Sequence, residues 1–166
     1  RIQNLSPTAN PHPTLPTFYS VTGIYQSTGN NTYYYNNYIS QIHAPFSQNP
    51  SAQIGMYIMG LNNNFTGLYN NTIYLDGTSE NDGFGTRGIY AETGVALDIR
   101  NNNVVVNSVP TGEYGCNVAY YRTNDELNTY QQVSNNNNFY AGTPGSRNFI
   151  YLALAADSLQ TLEEYQ

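Results

Sequence analysis

The chain contains no lysine and no tryptophan, and a single cysteine among its 166 residues. Charge of either sign is scarce: five arginines stand against eleven carboxylates, for a formal net charge of −6. Nucleic-acid binding depends on clustered Lys and Arg that neutralise phosphates, so nucleic acid is not an expected partner. A polybasic membrane contact fails on the same count. No apolar run approaches the roughly 18 residues of a membrane-spanning helix, so membrane insertion is not expected. The lone thiol, Cys116, forms no internal disulfide and reads as a small buried apolar residue. The first residue is Arg, and no charged-then-apolar leader follows it, so the expectation is a processed product or a fragment.

Asn, Tyr, Thr, Ser and Gly dominate what is present. Seventeen tyrosines supply enough aromatic area for a core, which argues against disorder. The length suits one domain, and residues 1–166 are read as one, a segment of a longer repeat protein or of a filament.

Two kinds of segment alternate. The first is Gly-apolar-Tyr: Gly23-Ile24-Tyr25, Gly55-Met56-Tyr57 and Gly88-Ile89-Tyr90. Looser copies are Asn117-Val118-Ala119-Tyr120 and Asn148-Phe149-Ile150-Tyr151, so that successive starts lie 32, 33, 29 and 31 residues apart. The second is Asn-Asn-x-apolar, ending at Ile39, Ile73 and Val104, with a fourth copy in Asn135–Asn138 before Phe139. Its register there is open by one residue. Arg1–Leu5 reads as the tail of a further copy, with Ile2 in the place of Ile39.

The segments have strand character: Val95–Arg100 alternates apolar and polar residues with period two. Helical periodicity is confined to the last ten residues, where Asp157 or Ser158 would cap a short helix carrying Leu159, Leu162 and Tyr165. Asn-Gly never occurs and Asp-Gly only twice, so hairpins are not expected. A period near 32 residues then suits a coil that winds once per repeat, each strand pairing in parallel with its next copy. Asn tolerates the left-handed conformation that a bend between strands requires. Bends repeated at one place would stack Asn36, Asn70, Asn101 and Asn135 or Asn136 as an amide ladder.

Four stretches carry a resemblance: "GIYQSTGNNTYYYNNYI", "LYNNTIYLDGTS", "LDIRNNNVVVNS" and "SNNNNFYAGTPGSRNFIY". Over Ser20–Gln166 the chain resembles the right-handed parallel β-helix repeat family of bacterial secreted and surface proteins, in the broad pectate-lyase-like superfamily. The resemblance implies an all-β, right-handed parallel β-helix of about five coils. It also implies an extracellular or cell-surface location and a structural or adhesive role. The alternative it implies is a polysaccharide lyase or glycoside hydrolase on the same scaffold.

For catalysis the acids are scattered. Glycoside hydrolysis needs two carboxylates held across a cleft, and no second acid accompanies Asp98. Asp98 and Arg100 lie two apart on one strand and read as an outward-facing surface pair rather than an acid with its partner. Asp76, Glu80 and Asp82 share a loop in which oxygen ligands could meet Ca²⁺, but turn chemistry accounts for the loop equally well. His12 and His43 sit in loops with no nucleophile or acid around them. No catalytic residue, metal or cofactor is therefore assigned. The aromatic surface is more informative. With Ile24, Met56 and Ile89 inward, Tyr25, Tyr57 and Tyr90 face outward in one column, and Tyr33, Tyr35 and Tyr69 form a second. Such columns stabilise a sheet and can dock sugar rings, so glycans are candidate ligands of Tyr25, Tyr57 and Tyr90. Ice binding would need a flat Thr array, which the sequence lacks. The end coils would expose unpaired strand edges, so self-association or stacking at those ends is the other expected partnership, head-to-tail contacts building filaments.

Overall fold

A computed structural model describes residues 1–5, 18–60, 64–92, 94–125, 127–153 and 158–165. Three parallel sheets run along one axis, joined into a β-solenoid of about four turns rather than five. The first sheet contains β1 (Val21–Gln26), β4 (Gln53–Ile58), β7 (Thr86–Ala91), β10 (Asn117–Arg122) and β12 (Asn148–Ala153). The second contains β2 (Thr32–Tyr35), β5 (Asn64–Tyr69) and β8 (Val95–Arg100). The third contains β3 (Tyr38–Ser40), β6 (Thr72–Leu75), β9 (Asn103–Val106) and β11 (Asn138–Tyr140). In the fourth turn the second-sheet position is held by a 3-10 turn at Leu127–Thr129 and two bridges, Leu97 to Tyr130 and Arg100 to Asn135.

Strand pairing sets the register. Ile24, Met56, Ile89, Tyr120 and Tyr151 stand over one another. The outer column is therefore Tyr25, Tyr57, Tyr90, Tyr121 and Leu152. The looser copies thus begin two residues before the glycine's level, Asn117 pairing with Thr86, and their Tyr120 and Tyr151 continue the inward column. A one-residue slip moves a side chain to the other face, and Tyr120 points into the core, 1% exposed.

The interior is filled by Met56, Ile89, Leu68, Ile99, Ile39, Ile73 and Val104, all fully buried. The glycine of Gly-apolar-Tyr belongs to this packing. A Cβ on Gly55 would lie 2.5 Å from Ile73 Cγ2, and one on Gly88 would lie 2.3 Å from Val104 Cγ1. Glycine thus admits the β-branched residue from the opposite sheet. In the fourth turn Ala119 takes the glycine's place, and the opposing residue is Phe139.

The two ends differ. Ile2 and Leu5 bridge to Ile39 and Ile42, extending the third sheet by a partial rung. Inward residues of the first turn (Val21, Ile24 and Tyr34) are only half-buried. At the other end β13 (Ser158–Leu159) pairs antiparallel with β12, contrary to the expectation of parallel pairing alone. Ser158 lies in this strand and caps nothing; Asp157 is outside the described residues. The short helix α1 (Leu162–Tyr165) is capped by Thr161 instead: its Oγ1 accepts from Glu164 N (3.3 Å) and Glu164 Oε2 accepts from Thr161 N (3.2 Å). That reciprocal pair is a capping box. Leu159 packs on the core; the side chains of Leu162 and Tyr165 lie outside the described residues. No helix among the described residues is long and apolar enough to cross a membrane.

Candidate functional site

The repeated asparagines do two separate jobs. Asn36, Asn70, Asn101 and Asn136 make the bend, with φ of 57°, 53°, 55° and 53°. Asn135 stands beside Arg100, one residue earlier. The amide ladder runs one residue after the bend. Asn37 Nδ2 donates to Asn71 Oδ1 (3.0 Å), Asn71 Nδ2 to Asn102 Oδ1 (2.9 Å), and Asn102 Nδ2 to Asn137 Oδ1 (2.9 Å). Each ladder oxygen also accepts the backbone N–H of the preceding ladder Asn, at 3.0 to 3.1 Å. The second amide proton goes to a main-chain carbonyl: Tyr34, Leu68 or Ile99. Asn71 and Asn102 are 1% and 2% exposed. Four hydrogen bonds at each make that burial affordable, because a buried amide without partners would be costly.

A second polar seam was not read from the sequence. Gln53, Thr86 and Asn117 are buried in register at the start of the first sheet's strands. Gln53 Nε2 donates to Ile42 O (2.6 Å), and its Oε1 accepts from Thr86 Oγ1 and Ser108 Oγ, both at 3.3 Å. Gly77 makes room for it, since a Cβ there would overlap the Gln53 amide. The available signal was position: each seam residue precedes Gly55, Gly88 or Ala119 by two.

On the outer face the tyrosine column is continuous. Ring centroids lie 5.1 Å apart from Tyr25 to Tyr57, 4.6 Å from Tyr57 to Tyr90, and 4.7 Å from Tyr90 to Tyr121. Exposure falls along it, from 55% at Tyr25 through half-buried Tyr57 and Tyr90 to 7% at Tyr121. The Arg87 guanidinium covers the Tyr121 ring at 5.1 Å. The Tyr57 hydroxyl donates to Glu92. Burial, and then that bond, push the Tyr57 pKa well up. Tyr25, Tyr57 and Tyr90 border a shallow groove with Ser20, Thr22 and Asn49.

The second sheet places Tyr33 and Tyr35 on the first turn's surface, with Tyr69 beside Tyr35 in register. Tyr69 folds back over Gly67, where a Cβ would meet its ring at 2.6 Å. Its hydroxyl thereby reaches Asp98 Oδ2 (2.8 Å). Arg100 grips the same carboxylate through Nε (2.8 Å) and Nη2 (2.5 Å). Asp98 and Arg100 do share a face, but Asp98 is 2% exposed beneath its partners, not an open surface acid. Burial, then the Asp98 bond, push the Tyr69 pKa up to about 12.

The remaining candidates stay apart. Asp76, Glu80 and Asp82 are all exposed on their loop, and the described residues contain no group of three His, Cys, Asp or Glu able to hold a metal. The loop is ordered by stacking on the one before: Glu80 N donates to Pro45 O (2.8 Å), and Ser79 Oγ to Ser47 O (2.9 Å). His43 is exposed, Cys116 is half-buried, and His12 lies outside the described residues. Comparison with protein-family models, with curated proteins and with solved structures gives no match.

Proposed function

We propose that the chain is a structural, adhesive segment of a secreted or cell-surface β-solenoid, related to the bacterial parallel β-helix repeat proteins it resembles. The state of Asp98 carries this reading. It is a buried carboxylate on an outer sheet face, yet three donors from Arg100 and Tyr69 hold it. A group so engaged serves the sheet and not a substrate. The Asn column supports the reading in the same way, since its amides bond along the axis. Purified protein is expected to release neither reducing nor unsaturated ends from a panel of polysaccharides. Release of such ends, abolished by Asp98→Asn, would establish a lyase or hydrolase instead.

The adhesive part rests on glycan contact at Tyr25, Tyr57 and Tyr90. The edges of β1 and β2, with the half-buried Val21, Ile24 and Tyr34 between them, are where a further coil would add, by backbone pairing. That coil belongs to the same polypeptide or to a second copy stacked head to tail. Since β13 covers the edge of β12, a second copy would have to displace it, which favours the same polypeptide. Sedimentation of the 166-residue chain separates the two: concentration-dependent growth indicates stacking copies.

A further inference from the structure

The groove beside Tyr25 has a volume of about 390 Å³, within the range of small-ligand sites. Its walls combine the tyrosine rings with Ile54, Thr22 and a bonded polar set in which Asn49 Nδ2 donates to Ser20 Oγ (3.1 Å) and Ser20 Oγ to Ser51 O (2.7 Å). Ring faces are available there. A fully parallel stack would cover every face but the outermost. The Tyr57 and Tyr90 rings instead meet at 85°; such a contact uses the face of one ring and only the edge of the other. Among the described residues Tyr25 is the most exposed of the column. Aromatic faces flanked by hydroxyl and amide groups match the apolar face and hydroxyl rim of a pyranose ring.

Charge narrows the ligand further. With lysine absent, the five arginines are the chain's whole stock of permanent side-chain cations, and none lines the groove. Arg1 lies over Tyr38 on the third sheet. Arg87 donates to Thr86 O and Cys116 O at the Tyr121 end of the column. Arg100 holds Asp98 on the second sheet, Arg122 is buried on β10, and Arg147 reaches Pro110 O. The charge nearest the rings is negative, the Glu92 carboxylate on the Tyr57 hydroxyl. A uronate or sulfate would be desolvated there beside a like charge, while Arg87, in register beside groove-lining Ile54, is already bonded to Thr86 O and Cys116 O.

We propose that this groove binds neutral glycan chains and discriminates against polyuronates and sulfated glycans. The inference rests on the adhesive reading above and adds the ligand class. Isothermal titration with neutral β-linked glucose and mannose oligosaccharides, and with uronate oligosaccharides at low salt, tests it. Neutral chains are expected to bind and uronates not. Tyr25→Ala should weaken neutral binding about three- to tenfold, while Tyr25→Phe, which keeps the ring, should retain it. Tyr25 is exposed, so unchanged circular dichroism is expected of both variants. Uronates binding as tightly as neutral chains would overturn the ligand class and leave glycan adhesion standing. Neutral binding that survives Tyr25→Ala and the pair Tyr57→Ala with Tyr90→Ala would overturn the site. No binding of any glycan by the unmodified protein would remove the adhesive reading and this inference together.

Discussion

Truncating Asn102 to alanine should destabilise the protein more than truncating Asn37, although both belong to one ladder. Asn102 sits mid-ladder. Its Nδ2 donates to Leu68 O (2.8 Å) and Asn137 Oδ1, and its Oδ1 accepts from Asn71 N (3.0 Å) and Asn71 Nδ2. In Asn102→Ala two of the four partners keep a bond: Asn137 Oδ1 still accepts from Asn102 N, and Asn71 Nδ2 still donates to Tyr34 O. The Asn71 N–H loses its acceptor, while the Leu68 carbonyl loses one donor but stays in the β5–β8 ladder. One buried backbone group left without a partner costs about 1–3 kcal/mol.

Asn37 is different. It is half-buried, and its side chain donates to Asn71 Oδ1, which also accepts from Asn37 N (3.1 Å). Asn37→Ala therefore strands no backbone group and should cost about 1 kcal/mol or less. Urea titration followed by circular dichroism measures both. Coils of a solenoid can open separately, so amide hydrogen exchange at Asn71 should be read alongside, with protection falling in Asn102→Ala. Equal costs for the two variants, or an Asn102→Ala protein within about 0.5 kcal/mol of the parent, an ordinary surface effect, would refute the ladder as the source of stability.

Two further outcomes follow from the packing and from the tyrosines. Gly55→Ala puts a methyl against Ile73 Cγ2 and the Gly88 carbonyl and should cost about 1–3 kcal/mol by overpacking; Ala119→Gly, at the equivalent slot, should cost about 1 kcal/mol or less. Similar losses in urea midpoint for the two would contradict the steric account. The Tyr69 pKa is raised from 10.0 to about 12 in the folded protein, so the unfolded chain loses this proton first as pH rises. The stability linked to Tyr69 is then complete below pH 10 and lost as pH climbs towards 12. A urea series across this window should show the loss, and Tyr69→Phe should shrink it; an unchanged pH slope in Tyr69→Phe would discount the Asp98 bond.

Much of this fold was legible because its physical demands are local. A bend needs a left-handed residue, and Asn supplies it at positions 36, 70 and 101. The residue three places later must turn inward, which Ile39, Ile73 and Val104 do. Glycine before an inward apolar residue marked the first sheet. The identity of the ladder residues was not legible, because both members of each Asn pair recur with the same spacing. Only coordinates tell which one bends the chain and which one points in.

The other unread positions have the same kind of cause. Tyr120 and Tyr121 are adjacent and chemically alike, so the sequence leaves open which turns inward; pairing with Ile89 and Tyr90 decides it. Gln53, Thr86 and Asn117 form one seam from three residue types, and a search for identical residues passes over them. Asp98 shows the general limit. Its spacing from Arg100 revealed the shared face, but its burial arises from Tyr69, a coil earlier, lying flat over Gly67. A glycine on one coil thus sets the environment of an acid on the next. Such relations become readable in a repeat once the register is fixed, because each residue's neighbours are then one period away.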